Sequence, residues 1–191
     1  MPFELLNQWL NEEKEAGAPN PKQAVLSTAT LQAIPHSRVV AIREISTDSL
    51  LFFTQKGTRK VTELENNPRA SLLFWFELKQ RQVTLEGFVE RLSKVENEHY
   101  WHSYPQTAQI RFAAYAPTST QPIASKEMIE SKKRQLKLEY GRKLLPFNPF
   151  YCGFRLKPTK FVFYALRSDE LSDVTEYTWL DNQWHSQILS P

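Results

Sequence analysis

Near the start of the chain Phe3, Leu5, Leu6, Trp9 and Leu10 recur at helical spacing, and acidic residues follow them. This pattern predicts an amphipathic helix over 3–15, ended by the breaker GAPNPK. Strand-like runs come next. AVLSTAT (24–30) predicts a strand, then a turn around Ile34-Pro35-His36. SRVVAIREI (37–45), Thr47-Asp48 and SLLFFTQ (49–55) read as a hairpin. Gly57 opens another turn, Thr58 stands where a helix cap would, and RKVTELENN predicts a short helix closed by Pro68. ASLLFWFE (70–77) is a further strand. In RQVTLEGFVERLS (81–93), Val83, Leu85, Gly87 and Val89 alternate with polar neighbours, the period of a half-solvated strand. Helical spacing returns at 94–103 and at 125–140. The chain then closes with the strands YCGFRL and KFVFYAL and a hairpin around Asp181-Asn182.

Some six strands lie between short helices, and most neighbours are joined by hairpin-length turns. Turns that short connect antiparallel strands, whereas parallel pairing needs long crossovers. The expected fold is mainly β with flanking helices, an antiparallel barrel or sandwich rather than a doubly wound parallel sheet. No repeat or linker interrupts the pattern, so one domain over 1–191 is expected.

Composition narrows the chemistry. The 191 residues carry a formal charge of +3, and aromatics make up 13 % of them, enough for a sizeable core. Only five glycines argue against a Gly-rich nucleotide loop. The single cysteine, Cys152, excludes an intrachain disulfide and Cys-clustered metal sites, and its aromatic setting reads as a buried thiol. The longest apolar run, LLFWF (72–76), is far shorter than the ~20 residues of a membrane span. With no basic-then-apolar leader at the N-terminus, a cytoplasmic protein is expected. Acids interspersed among the bases leave no single-sign patch for nucleic acid.

The densest cationic group is Arg38, Arg43, Arg59 and Lys60, with Gly57 and Thr58. A Gly-Thr-Arg-Lys turn at a helix start offers backbone N–H groups, a hydroxyl and two cations, which suit a phosphate dianion. The same residues also read as a solvated turn with ordinary surface cations. Gln82 opens a strand with a donor and an acceptor that match a heterocycle edge, or simply a solvated strand start. His99 and His102 are spaced for a metal, but no third ligand accompanies them and an aromatic packing face is the better reading.

Taken together, SRVVAIREI, LLFFTQKGTRKVTELENNPRASLLFWF, RQVTLEGFVERLS, YWHSYPQTAQI and PFNPFYCGFRLKPTKFVFY resemble the pyridoxamine 5′-phosphate oxidase family, in order and over roughly residues 20–191. The resemblance implies a split β-barrel homodimer with FMN at the subunit interface. It assigns Arg38, Val39 and Val40 to the strand lining the flavin, and Phe53 and Thr54 to a pair near its phosphate. It assigns Thr58, Arg59 and Lys60 to the phosphate itself. Gln82 would contact the flavin, Ser119 would belong to a pair given across the dimer, and Tyr164 stands where a Trp packs near the ring. Arg43 and Tyr100 would face a small-molecule substrate.

Several positions depart from the family pattern. Its Arg-Leu-His-Asp-Arg motif is here Glu170-Leu171-Ser172-Asp173-Val174, so the substrate-binding Arg and His become Glu170 and Ser172, and an FMN-supporting Arg becomes Val174. In the substrate-phosphate cluster, Arg43 replaces Lys, Tyr104 replaces Arg and Ala108 replaces Ser. A phosphate substrate thus loses a guanidinium and a hydroxyl and meets a carboxylate, which Coulomb's law disfavours. The expectation is an FMN-dependent oxidoreductase with an altered, less anionic substrate. Genuine pyridoxamine or pyridoxine 5′-phosphate oxidation is one alternative. A non-catalytic flavin-, haem- or pyridoxal-phosphate-binding protein is another, with His99 or His102 as the haem ligand.

Overall fold

A computed structural model describes residues 1–191. The chain runs α1 (Pro2–Glu15), β1 (Gln23–Ala29), β2 (Pro35–Ile45), β3 (Leu50–Gln55), α2 (Arg59–Asn66), β4 (Arg69–Phe76), β5 (Arg81–Arg91), α3 (Lys94–His102), α4 (Gln106–Tyr115), α5 (Lys126–Tyr140), β6 (Tyr151–Ala165), β7 (Asp173–Leu180) and β8 (Gln183–Leu189). The strands lie in the order β3-β2-β1-β4-β5-β6-β7-β8, and β3 also pairs with β6. That extra pairing closes the first six strands into an antiparallel split barrel. Closure leaves β7 and β8 as a hairpin extending from β6.

The backbone groups into two compact units. The first comprises Met1–Phe53, Glu63–Glu90 and Phe154–Pro191, and it holds most of the barrel. Its core is built by period-2 alternation: Leu26, Leu72, Leu85, Phe52, Phe154 and Phe161 are fully buried, and Phe52 stacks on Phe154 at 5.8 Å. Helix α1 lays Phe3, Leu6 and Leu10 against the barrel, and the Phe3 ring meets Phe161 edge-on at 5.0 Å. The buried Glu13 carboxylate accepts from the Leu78 and Lys79 amides (3.0 and 3.1 Å), so α1 also closes the β4–β5 turn. Arg81 pairs with Glu12 and lies over the Trp9 ring, 4.8 Å from its centroid.

Two sequence expectations need correction here. YCGFRL and KFVFYAL are not separate strands but one 15-residue strand, β6, which runs through the buried Pro158. Proline lacks a ladder donor and usually marks a strand edge. The continuity depends on Gly87, which the alternation had grouped with core-facing residues. A Cβ at Gly87 would sit 2.1 Å from the Lys157 carbonyl oxygen and 2.7 Å from Pro158 Cα, so its missing side chain is what lets β5 and β6 approach.

The second unit comprises Thr54–Thr62 and Arg91–Gly153. Trp101 is its centre: its Nε1 donates to the Leu145 carbonyl (3.1 Å), and Phe112, Phe147 and Tyr151 surround it edge-on. Ser93 caps α3 in a reciprocal box with Glu96. The pattern of apolar positions missed α4. Its buried set includes Gln109, whose amide donates to the Trp101 carbonyl and accepts from Leu145 N–H, so a polar residue sits on the core-facing stripe.

Candidate functional site

The turn between β3 and α2 forms because Gly57 holds φ +79°, a conformation that side chains disfavour, and a Cβ there would meet nothing within 4 Å. Open space therefore lies above the turn. Thr58 is buried, and its hydroxyl donates to the Gln55 carbonyl (2.9 Å) rather than serving the helix N-terminus. The Thr58 carbonyl accepts from the Val61 and Thr62 amides, so α2 begins there. Lys60 Nζ donates to Thr54 Oγ1 (3.1 Å), and Arg59 is exposed. Thr54, Thr58, Arg59 and Lys60 thus share one short turn, as the sequence predicts. Two cations, a helix N-terminus and a hydroxyl are a donor set suited to a phosphate.

Gln55 is a residue that sequence reasoning missed. It is buried, and its Oε1 accepts from the Ser119 amide (3.4 Å), which brings Ser119 beside the turn. The turn is also pinned by Lys56 N–H donating to the Phe150 carbonyl (2.8 Å) and by Cys152 Sγ facing the Thr54 carbonyl (3.6 Å). Cys152 is a buried thiol outside any disulfide, as expected. Half-buried Tyr100 lies on α3 with its ring edge-on to exposed His99 at 5.5 Å.

In the barrel unit, strand pairing separates the remaining candidates by face. Val39 lies opposite Val25, and Val25 opposite Leu73, while Gln82 lies opposite Trp75. Alternation places these, with exposed Arg43, on the outer surface of the sheet. Arg38 falls in register with Leu26 and Val40 is buried, so both point to the inner side. The Arg38 guanidinium is engaged within the chain: Nη1 donates to Leu26 O (3.3 Å) and Thr28 Oγ1 (2.5 Å), and Nη2 to Glu63 Oε2 (3.4 Å). Thr28 donates in turn to Glu63, and His36 Nδ1 lies 2.6 Å from Glu63 Oε1. Burial pushes the Glu63 carboxyl up, but the Thr28 hydroxyl, His36 and Arg38 together hold it below its ordinary value. Phe53 is half-buried near the end of β3.

Half-buried Tyr164 on β6 lies directly opposite Val174 on β7, so two departures from the expected pattern face each other in one register position. The loop between them is held by Arg167. Its Nη2 bonds Asp173 at 2.7 Å, Glu170 lies 3.6 Å from its Nε, and its backbone N–H donates to Ser172 Oγ (3.3 Å). Glu170 is therefore already paired with a local cation.

Recesses of about 350 Å³ (Glu44, Ser46, Asp48, Arg155 and Lys157 among its walls) and about 450 Å³ (Trp101, Lys132, Leu136, Phe147 and Phe150 among its walls) contain none of the flavin-assigned residues. No group of three His, Cys, Asp or Glu side chains is placed to hold a metal ion. No helix is long and apolar enough to cross a membrane.

Comparison with known proteins accounts for this arrangement. The family model "Pyridoxamine 5′-phosphate oxidase" matches residues 10–138, and "Pyridoxine 5′-phosphate oxidase C-terminal dimerisation region" matches 151–191. A pyridoxine/pyridoxamine 5′-phosphate oxidase of Alteromonas mediterranea is 38 % identical over 192 residues, covering 100 % of this chain and 89 % of the relative. That of Bordetella pertussis is 36 % identical with the same coverage. Among solved structures, PhzG from Burkholderia lata 383 in complex with tetrahydrophenazine-1-carboxylic acid aligns with TM-score 0.89 and 29 % identity, covering 100 % of this chain and 92 % of that one. A pyridoxamine 5′-phosphate oxidase-related, FMN-binding protein of Nostoc punctiforme aligns at TM-score 0.80 and 17 % identity, a likeness of fold. The chain belongs to the pyridoxamine 5′-phosphate oxidase family.

Proposed function

We propose that the protein is a homodimeric FMN-dependent oxidoreductase whose substrate is a small molecule less anionic than a pyridoxine phosphate. The observation that carries the FMN reading is the Thr54–Lys60 turn, where Lys60 sits on Thr54 beside the start of α2 and open space lies over Gly57. Arg59, Lys60, Thr54 and Thr58 hold the FMN phosphate, with Phe53 and Ser119 beside them. Arg38, Val39, Val40, Gln82 and Tyr164 contact the remainder of the nucleotide. FMN held there would supply hydride-transfer chemistry, for which these residues would supply orientation and polarity. Arg43 and Tyr100 face the substrate. The match to a dimerisation region over 151–191 supports the homodimer, in which each chain contributes part of the flavin site.

The altered substrate rests on Glu170 and Ser172, which stand where the family motif has Arg and His. PhzG supports the same direction, because the acid named in its complex carries one carboxylate in place of a phosphate dianion. The names of the relatives favour a second reading, authentic pyridoxamine or pyridoxine 5′-phosphate oxidation. Two measurements decide. A visible spectrum of the purified protein, with and without added FMN, is expected to show a bound flavin; a colourless protein that takes up no FMN refutes the cofactor reading. Hydrogen peroxide release is then followed with pyridoxamine 5′-phosphate and with planar reduced heterocyclic monocarboxylates. Turnover of the phosphate ester that exceeds every monocarboxylate overturns the altered-substrate reading. A protein that binds flavin and turns over none of them is the non-catalytic binder.

A further inference from the structure

The polar cluster of Thr28 on β1, His36 and Arg38 on β2, and Glu63 on α2 is not required by the barrel. Glu63 on α2 is only 4 % exposed and Thr28 is buried, beside the apolar inner positions Leu26 and Val40. Burying a carboxylate against a guanidinium costs desolvation that a hydrophobic substitute avoids, so stability alone is a weak reason for such a cluster. We propose that Glu63 is a positioning residue for Arg38, fixing the orientation in which the guanidinium meets the flavin nucleotide. The inference rests on the FMN reading above.

The geometry is a relay with one direction. Arg38 donates to Thr28 Oγ1, Thr28 donates to Glu63, and Glu63 also accepts from the other terminal nitrogen of Arg38. Together with the Leu26 carbonyl, these contacts engage both ends of the guanidinium fork. His36 Nδ1 lies 2.6 Å from the second carboxylate oxygen and adds a further polar contact to Glu63. An arginine on a flexible stem loses rotamer freedom when it orders on a ligand. One already held in place does not, and preorganisation of this kind raises affinity without any new contact. Since Glu63 offsets the charge of Arg38, the arginine acts by its aim more than as a net cation.

The test uses the full chain, with FMN affinity read by quenching of flavin fluorescence and apo-protein melting measured in parallel. Glu63→Ala is expected to weaken FMN binding about tenfold, the scale of one charge-assisted hydrogen bond. Glu63→Gln, whose amide oxygen still accepts from Arg38, is expected to recover binding to within about threefold of wild type. In an Arg38→Met background, Glu63→Ala is expected to add no further loss. Thr28→Val breaks the same relay at nearly constant volume and serves where Glu63→Ala does not fold; about a fivefold loss is expected. A Glu63 variant that melts earlier but leaves the FMN affinity and bound-flavin spectrum unchanged overturns the proposal, as does an equal loss in the Arg38→Met background. Wild-type protein that takes up no FMN refutes the cofactor reading and this inference with it. Wild-type uptake with unaffected variants refutes this inference alone.

Discussion

The turn at 54–60 and the segment at 164–174 both carry cations and hydroxyls, yet they use them differently. In the turn, Lys60 donates to the Thr54 hydroxyl and Arg59 is exposed. Both cations stand at the start of α2, where the helix N-terminus adds positive potential. In the 164–174 segment, Arg167 pairs with Asp173 and Glu170, and Val174 is 5 % exposed opposite Tyr164. That segment sets one cation, Arg167, against Asp169, Glu170 and Asp173, so it is net acidic and partly apolar. A family relationship fixes the fold of both regions, but the turn gathers cations whereas the 164–174 segment gathers carboxylates. Cofactor and substrate specificity can thus diverge separately within one barrel.

The sharpest way to break this comparison is to remove the turn's cations. Arg59→Ala with Lys60→Ala deletes two charge-assisted contacts to phosphate, each worth about 1.5–3 kcal/mol. FMN affinity is expected to fall at least a hundredfold, while Glu170→Ala is expected to leave it within about threefold. Equal effects from both would mean that the turn has no special role. Next in size is restoration of the other region. Glu170→Arg with Ser172→His reverses one charge and returns a ring donor, so kcat/KM for pyridoxamine 5′-phosphate is expected to rise about ten- to a hundredfold. An unchanged value in a peroxide-coupled assay would show that these two positions do not limit turnover of the phosphate ester and would point to Tyr104 or Ala108 instead.

A third effect, on stability, compares a buried carboxylate with the exposed ones around Arg167. Glu63 titrates below its ordinary value of 4.5 in the folded chain. Its ionised form is thus favoured by folding: the contribution is present above about pH 4.5 and is lost as pH falls through the lower folded value. Glu63→Gln cannot titrate. The stability gap between wild type and Glu63→Gln is therefore expected to narrow between about pH 5 and pH 3 in denaturant melts. A gap that is constant across that window would show that the Glu63 charge is not coupled to folding.

Most of the barrel was legible because its signals are local. Short strand-like runs marked β1 and β4, alternation marked β5, and Gly57 with Pro68 bracketed α2. The grouping of Thr54, Thr58, Arg59 and Lys60 in one turn was legible for the same reason, since these residues are close in sequence. What stayed hidden depends on residues distant in sequence. Pro158 reads as a breaker until Gly87 is seen making room for it. Gln109 hides α4 because its partners, Trp101 and Leu145, lie 8 and 36 residues away. The inward aim of Arg38 depends on Glu63, 25 residues on and in another element. Gln55 left no signal beyond its place in the turn, and only its contact with Ser119 reveals it.

The smallest expected effect concerns Arg167. It bonds Asp173 through two nitrogens, Nε at 3.1 Å and Nη2 at 2.7 Å, and lies 3.6 Å from Glu170. On contact geometry alone it rivals Arg38. It differs in solvent, because all three side chains are about half exposed or more. Water screens such pairs, and holding long side chains in one arrangement costs entropy, so exposed ion pairs contribute about 0–1 kcal/mol. Arg167→Ala is therefore expected to leave the denaturant midpoint almost unchanged, with any small difference gone in molar salt. FMN affinity is expected to be unchanged. Substrate selection is where the variant should register: with Arg167 gone, Glu170 and Asp173 lose their neutralising partner, and discrimination against anionic substrates should increase. A large salt-insensitive loss of stability would instead make this loop a structural clamp, and the contrast with the turn would then be one of packing rather than of charge.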